Sequence, residues 1–448
     1  MEIFYRVLEV INYIVIGICA ITMLFQLVMI LFSWLPEKHF KKSDKLSRIA
    51  IIICARNEAS VIKDTLNHLL NDVNYPSELY DIYLVADNCT DDTASIAASV
   101  SNRIKVITHY DDNPSHHRVA YPLQYGLEHI LSLKDKFYDF IIRIDADNVL
   151  DKDYLRYMND AFNSGVEIAR GYEASKNITQ NVFTEVSGTY YMRDSFIACN
   201  FREYFHLDSM LTGAGMMVST SVLNSIKGKW DAFSLSEDAE FTLNRLLENK
   251  RVHYVCDAVI YEDQPSNLKE THKRVSRMGN GIHKVFHVKG WKTLFHFFKS
   301  GRWSNVDLFV QLMAIPMALL CCLWFPIYYA FYVLIHLING LGPNFLGNVV
   351  ALDGSLLTAE KSISLLLTNL LPMIGIVLAT YLILFPLQTF IAVYRSKKKL
   401  HMETIKPLTK GILISPLYMV IYAISITIGI LTRAGWKTSK RNVSISKK

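Results

Sequence analysis

Residues 140–148 read FIIRIDADN, an apolar run that ends in two aspartates, Asp145 and Asp147, one small residue apart. Side chains alternate along an extended chain, so both carboxylates can point to one side of a strand end. Two carboxylates there suit a hard divalent cation that keeps positions open for phosphate oxygens. A solvated strand end fits the same pattern, so the neighbourhood has to decide. Upstream, Glu58 follows an apolar run at 48–54, and the acidic turn DNCTDDT at 87–93 follows another at 81–86. Downstream, Ser236-Glu237-Asp238 opens a segment with Leu243, Leu246 and Leu247 at helical spacing. The plain alternative for Asp238, shared with Glu237, is an acid that satisfies a helix N-terminus. For Asp87 it is an ordinary turn residue.

These acids need a frame that brings them together. Strands are expected at 48–54, 81–86, 104–108 and 140–144. Helices are expected from Ile62, through Leu66, Leu69 and Leu70, and at 125–133. Thr90 or Asp91 is placed to cap a helix that starts nearby. Strand–helix alternation predicts an open, largely parallel sheet. Such sheets bind ligands at the carboxyl ends of their strands, where Glu58, Asp87, Asp145 and Asp147 all fall. Four acids on one edge repel one another unless a cation or hydrogen-bond donors fill the site. Beyond about residue 165 the alternation weakens. There we expect a glycine-opened strand at 212–218, a loop at 230–236, a helix at 237–248 and a last apolar segment at 252–260.

Of the 448 residues, 51% are apolar and 20% charged, and the apolar residues are concentrated. Residues 8–35 carry a single charge, Glu9, and 308–337, 363–394 and 411–432 read the same way. Each is long enough to span a bilayer, whereas 36–300 has ordinary globular composition. The first segment is longer than a signal h-region and has no small-residue cleavage site after it, so it reads as a retained anchor. Lys38, Lys41, Lys42, Lys45 and Arg48 place the globular portion on the cytoplasmic side. At 290–303, Trp291, Leu294, Phe295, Phe298 and Trp303 line one side, flanked by Lys292, Lys299 and Arg302. That fits a helix in the membrane interface, or one packed on the sheet. The division expected is an anchor at 1–36, a cytoplasmic domain at 37–289, an interfacial helix at 290–304, a membrane region at 305–432 and a basic tail at 433–448. Seven cysteines without framework spacing read as reduced thiols. The net charge of +6 arises in 395–410 and in the tail. This fits anionic lipid headgroups and not nucleic acid. Pro316, Pro326, Pro372 and Pro386 interrupt the apolar segments, which leaves room for a re-entrant or split helix. Three C-terminal spans would put the basic tail outside, against its charge, so the side of the tail stays open.

The order of motifs is more specific than any one of them. It runs Asn57-Glu58, DNCTDDT, DADN, the GAGM of 213–216, Ser236-Glu237-Asp238, Gln264-Pro265 and an arginine-rich segment. Apolar spans then end in the WKTSKR of 436–441. This order resembles the family-2 inverting glycosyltransferases of the membrane-synthase type, the group of cellulose, chitin, hyaluronan and poly-N-acetylglucosamine synthases, over nearly the whole chain. The resemblance implies an α/β, GT-A-like nucleotide-sugar-binding domain with a mixed, mostly parallel sheet, inserted between transmembrane helices. It implies that Glu58 and Asp87 hold the base and ribose. Asp145 and Asp147 would face the diphosphate and its Mg2+ or Mn2+, with Asp147 nearest the metal. Asp238 would be the general base, and Gly213 and Gly215 would lie on a strand beside the acceptor. Arg277 would face the leaving diphosphate.

Elementary chemistry agrees. A departing nucleotide diphosphate needs its growing charge neutralised, which a divalent cation and an arginine do. Inversion needs one base on the opposite face of the sugar. Two departures stand out. The family's Q-x-x-R-W reads Arg274-Val275-Ser276-Arg277-Met278 here. The tryptophan that lines the acceptor end in polymerising members is thus a methionine, and Arg274 joins the substrate-binding candidates. The family's glycine-lysine segment is replaced by SHHRVAYP at 115–122. There Arg118 is the candidate for the phosphate role, while His116 and His117 read as a metal pair or, more plainly, as solvated loop residues.

The expectation is an integral enzyme of the plasma membrane that moves a sugar from a nucleotide-diphospho-sugar, a UDP-sugar foremost, to a growing extracytoplasmic polysaccharide. Its expected partners are the donor, a glycan or lipid-linked acceptor, membrane lipids and accessory export proteins. The alternatives are transfer of a single sugar to a lipid carrier or glycolipid, and a catalytically dead scaffold or channel, against which the intact acids argue.

Overall fold

The computed structural model describes residues 2–341, 358–365, 367–368 and 371–433. The expected basic tail beyond Arg433 and its WKTSKR motif lie outside the described residues. At the centre is an eight-stranded sheet. In chain order its strands are β1 (Ile49–Ala55), β2 (Tyr80–Asp87), β3 (Ile104–His109), β4 (Phe140–Asp145), β5 (Val149–Leu150), β6 (Ile168–Ser175), β7 (Met216–Ser219) and β8 (His253–Glu262). Across the sheet the order is β3-β2-β1-β4-β7-β6-β8-β5. Pairing is parallel through β3, β2, β1 and β4, and between β6 and β8. It is antiparallel on both sides of β7 and at β5. The mixed, mostly parallel sheet is therefore as expected.

The apolar run of β1 is continuous because both of its faces are covered. Ile49, Ile51 and Ile53 pack with Ile62, Leu66 and Leu69 of the Ile62–Asn71 helix. Ala50 and Ile52 pack with Leu123, Leu127 and Ile130 of the Ala120–Ser132 helix on the other face. Each of these isoleucines contributes about 1.5–3 kcal/mol by leaving water.

Several local expectations are corrected. The strand expected at 212–218 is Met216–Ser219, and Gly213 to Gly215 form the turn that precedes it. The cap expected at Thr90 or Asp91 falls at Asp92, whose side chain makes no capping bond. The Asp91 carboxylate instead accepts from the Thr93 and Ala59 amides. The second half of the domain is richer than its weak pattern indicates. After the Tyr154–Asn163 helix it holds β6 and helices at Val182–Arg193 and Leu268–Val285.

The segments expected to span a membrane fall largely on long helices, Glu2–Leu31, Ser304–Leu341, Leu371–Ser396 and Thr409–Leu431. Residues 366, 369 and 370 of the third segment lie outside the described residues. Among the described residues, one stretch, Lys406–Leu431, is long and apolar enough by length and composition to cross a membrane. The helices run on through Pro316, Pro326 and Pro386, so these prolines do not split them. The aromatic helix is Trp291–Ser300, shorter than expected because Gly301 closes it with a left-handed φ of 67°. The Leu268–Val285 helix packs against Thr409–Leu431, where Val275 meets Tyr418, Tyr422 and Ile426, and Ser276 Oγ donates to the Ser425 carbonyl at 2.8 Å.

Candidate active site

Parallel pairing carries three strand ends to one edge. Cys54 lies opposite Val85 of β2 on one side and Asp145 of β4 on the other. Asp87 ends β2 and is buried. Its Oδ1 accepts from His109 Nδ1 at 2.8 Å, at the end of β3, and from Asn88 Nδ2 at 3.1 Å. Glu58 is half-buried in the turn after β1, its amide donating to Thr93 Oγ1 at 2.8 Å. That turn is held by Asn57, at φ 58°, whose Oδ1 accepts from the Thr90 amide.

Because β7 runs antiparallel to β4, with Arg143 opposite Met216, the Gly213–Gly215 turn emerges beside Asp145. Gly215 sits at φ 66°, where a Cβ would also meet the Tyr154 hydroxyl at 2.4 Å. That hydroxyl donates to the Gly215 carbonyl. A Cβ on Gly213 would stand 3.0 Å from Arg143 Nη1. Both glycines therefore make room for neighbouring side chains.

Arg143 is one residue that sequence reasoning missed. It sits within β4 and is 4% exposed. Nη1 donates to Glu237 Oε1 at 2.9 Å and Nη2 to Asp145 Oδ1 at 3.1 Å. The signal was present, since an arginine inside an apolar strand must find a counter-charge or leave the core. Burial alone would weaken its charge, but Asp145 and Glu237 hold it protonated. Through this one guanidinium, β4 is joined to the first residue of the Glu237–Leu247 helix.

Asp238, the next residue, has its Oδ1 accepting from the Ala239 amide at 2.8 Å. Burial raises its carboxyl above the usual range, against the amide bond and Arg143, which lower it. Burial likewise pushes Glu237 up to about 7, with Arg143 opposing.

Arg274 and Arg277 come from the Leu268–Val285 helix. Gly281 of that helix lies against Ser236, which precedes Glu237, so closely that a Cβ would fall 2.3 Å from Ser236 Oγ. Arg277 is one turn earlier and so shares that helix face. Burial lowers its affinity for the proton, Arg274 adds to that, and Glu237, Asp145 and Asp238 pull the other way. Among the described residues its guanidinium forms no hydrogen bond or ion pair. Arg274 is engaged. Nη2 meets Glu262 Oε2 at 3.0 Å, Nη1 meets the Asp263 carbonyl at 3.2 Å, and the guanidinium lies over the Tyr191 ring. Burial pushes Glu262 up to about 8, with Glu173 adding and Arg274 opposing.

Asp147 is 7% exposed. Its carbonyl accepts from Lys176 Nζ at 2.6 Å, and Lys176 also meets Asp263 Oδ2 at 3.3 Å. β5 lies against the end of β8, which brings Glu262 and Asp263 to the D-x-D edge. Sequence reasoning passed over Lys176, Glu262 and Asp263. Arg118 donates from Nη1 to the Phe233 carbonyl at 2.9 Å, on the loop before Asp238. His116 bonds Asp111 at 2.8 Å and stacks on Tyr121, as a loop-stabilising residue would. One edge thus gathers Asp145, Asp147, Gly213, Gly215, Asp238, Arg274 and Arg277, with Asp87 two strands away beyond β1.

Residues 47–281 match the family described as Glycosyltransferase like family 2. That is more than half of the chain, and the chain belongs to this family. Among curated relatives, the poly-beta-1,6-N-acetyl-D-glucosamine synthase of Staphylococcus epidermidis is 23% identical over 278 residues, covering 59% of this chain and 63% of that protein. The probable glycosyltransferase YdaM of Bacillus subtilis is 25% identical over 275 residues, covering 59% of this chain and 61% of that one. The match therefore spans a little under two thirds of the length of these relatives. Among solved structures, a mannosyltransferase from Pyrobaculum calidifontis in complex with GDP-Man and Mn2+ superposes with a TM-score of 0.53 at 13% identity, over 93% of this chain and 98% of that one. That likeness is one of fold.

Proposed function

We propose that this protein is an integral-membrane inverting glycosyltransferase that moves a sugar from a nucleotide-diphospho-sugar, a UDP-sugar foremost, to a growing extracytoplasmic polysaccharide. One observation carries the reading. A half-buried carboxylate with a raised pKa, Asp238, shares an edge with the D-x-D acids and with an arginine, Arg277, whose guanidinium makes no hydrogen bond or ion pair among the described residues. Asp238 takes the proton of the acceptor hydroxyl as the new glycosidic bond forms. Arg277 meets the charge that builds on the diphosphate as the anomeric carbon–oxygen bond breaks. Asp87 and Glu58 hold the nucleoside. Arg118 steadies the loop before Asp238, and Arg274 orients the arginine helix through Glu262.

The donor set of Asp145 and Asp147 is all hard oxygen, which fits Mg2+ or Mn2+. Asp147 with Asp145 would hold the ion, and it would supply charge neutralisation at the diphosphate. The membrane setting is supported by apolar side chains left exposed along the long helices. Examples are Val10, Ile14, Ile21 and Leu24 on the first, and Leu413, Leu417, Ile424 and Leu431 on the last. Trp291, Phe295, Phe298 and Trp303 are also exposed, which suits a helix at the interface with a cytoplasmic domain behind it.

One observation favours a second reading, transfer of one sugar to a lipid carrier. Met278 stands where polymerising members carry tryptophan, its sulfur receiving the Tyr422 hydroxyl at 3.8 Å. Purified protein in lipid, given a panel of radiolabelled nucleotide sugars and followed by product sizing, tests both. High polymer supports the first, a single addition the second, and no transfer from any donor overturns both.

A further inference from the structure

We infer that His39, Cys256 and Asp257 form a second metal site, for a transition-metal ion of the Zn2+ class, away from the D-x-D edge. Neighbours on a regular strand point to opposite faces, so Cys256 and Asp257 would not normally converge. Here the β6–β8 ladder steps from Gly171↔Val255 to Tyr172↔Val259. Cys256, Asp257 and Ala258 are an excursion of β8 with no residue opposite, the kind of irregularity that re-aims side chains. Gly171 admits it, because a Cβ there would fall 2.3 Å from the Ala258 carbonyl.

The third group comes from the connector after the first helix. His39 Nδ1 is 2.7 Å from Asp257 Oδ2 and 3.8 Å from Cys256 Sγ. One ligand atom from each residue lies within 4.8 Å of the others. A tetrahedral Zn2+ binds nitrogen and oxygen at about 2.0–2.2 Å and sulfur at about 2.3 Å. Around a tetrahedral ion those bond lengths place the ligand atoms roughly 3.3–3.6 Å apart, so on binding the His39–Asp257 hydrogen bond opens and side-chain rotations bring the three atoms to the ion.

The chemistry selects the ion. Thiolate and imidazole favour Zn2+ and its neighbours over Mg2+ or Ca2+. Three protein ligands leave a fourth position for water. The imidazole is 61% exposed and the carboxylate 24% exposed, so the ion enters from solvent. Cys256 is buried, its sulfur against the Lys38 carbonyl at 3.4 Å. On binding, the sulfur–metal bond replaces the thiol S–H bond, and the proton passes to solvent. One thiolate and one carboxylate then cancel the ion's charge, so the nearby Lys399, held by Glu37, is not repelled. The occupied site pins the connector of the first helix to β8, whose far end carries Glu262, the counter-ion of Arg274.

The test uses full-length protein in detergent, stripped with chelator, with Asp147→Asn in place to silence the D-x-D. Co2+ titration should develop a thiolate-to-metal charge-transfer band that saturates at one equivalent and is displaced by Zn2+. Cys256→Ser should abolish the band. His39→Ala, at an exposed position, should weaken Co2+ binding at least several-fold and gives the answer if Cys256→Ser fails to fold. No band with folded protein, or a band that both variants leave unchanged, overturns the site.

Discussion

Replacing Arg143 with methionine keeps much of the side-chain volume and removes the charge. Two carboxylates then lose a counter-ion, and they are not equal. The Asp145 side chain is 38% exposed, so water replaces most of the interaction and the loss is about 0–1 kcal/mol. The Glu237 side chain is 9% exposed. Breaking a buried pair costs about 3–5 kcal/mol, because the remaining charge is stranded in a poor solvent. In a domain of 150–250 residues, each 1 kcal/mol lowers Tm by about 2–4 °C. At alkaline pH, where Glu237 is ionised, the expected drop is therefore roughly 6–20 °C, read by thermal unfolding of purified protein.

The pH dependence has a definite sign. Glu237 already titrates near 7 in the folded protein, and without Arg143 its folded pKa rises further. The folded variant then binds a proton over a pH range in which the wild type does not, so its relative stability grows as pH falls. The penalty should be largest at alkaline pH and shrink as pH drops to about 7 and below. Arg143→Met with Glu237→Gln removes the stranded charge and should recover most of the Tm. The acid limb of turnover should also move to higher pH in Arg143→Met, since Arg143 is among the groups that lower Asp238. An Arg143→Met protein that melts and titrates like the wild type would refute the claim that this arginine joins the D-x-D strand to the base.

Asp147→Asn should lose most activity while the protein still folds, because an amide is a poor ligand for a hard cation; full turnover by this variant, or by wild type in excess chelator, sinks the metal assignment. Asp238→Asn should lower the rate by about 10²–10⁴ with nucleotide affinity retained in equilibrium binding, and a collapse of that affinity would make Asp238 a donor-site residue. Since its carboxyl is raised, wild-type turnover should fall on acidification at a pH above the usual aspartate range; a rate flat through that range counts against Asp238 as the base. Arg277→Lys should reduce turnover more than donor binding, because a lysine cannot reproduce the guanidinium's two-pronged hold on phosphate. Arg274→Lys should show mainly as lost stability through Glu262 and Tyr191, and the reverse pattern would exchange the two roles.

The first half of the domain was legible because each of its signals is local. An apolar run with both faces covered, a turn rich in Asp and Asn, and the next helix follow within about thirty residues at β1, β2 and β4. The acids at those strand ends could be placed on one edge by the parallel topology alone. The D-x-D, Asp87 and the helix of Asp238 needed no knowledge of distant contacts.

The features that stayed hidden depend on partners far apart in the chain. Arg143 and Glu237 are 94 residues apart. Arg143 announces that it needs a counter-charge, but Glu237 is not identifiable as that charge until the antiparallel β7 is inserted beside β4 and the Asp238 helix reaches the strand end. Arg274 and Glu262 are close in sequence. Yet their meaning depends on β8 lying beside β6 and β5, an arrangement that β6's weak alternation (IARGYEAS) does not announce. That strand is buried at every position and contains Arg170 and Glu173, which pair with each other at 3.1 Å. Period-two reasoning therefore sees charges where it expects a core. The same exchange of apolar pattern for internal ion pairs occurs at Arg143 in β4. In both strands a buried arginine ties the sheet to a neighbouring element, Arg143 to Glu237 and Arg170 to Asp194. A charge in the middle of an apolar strand is thus the most informative single residue such a strand can carry, because it can persist only if the fold delivers an opposite charge to it.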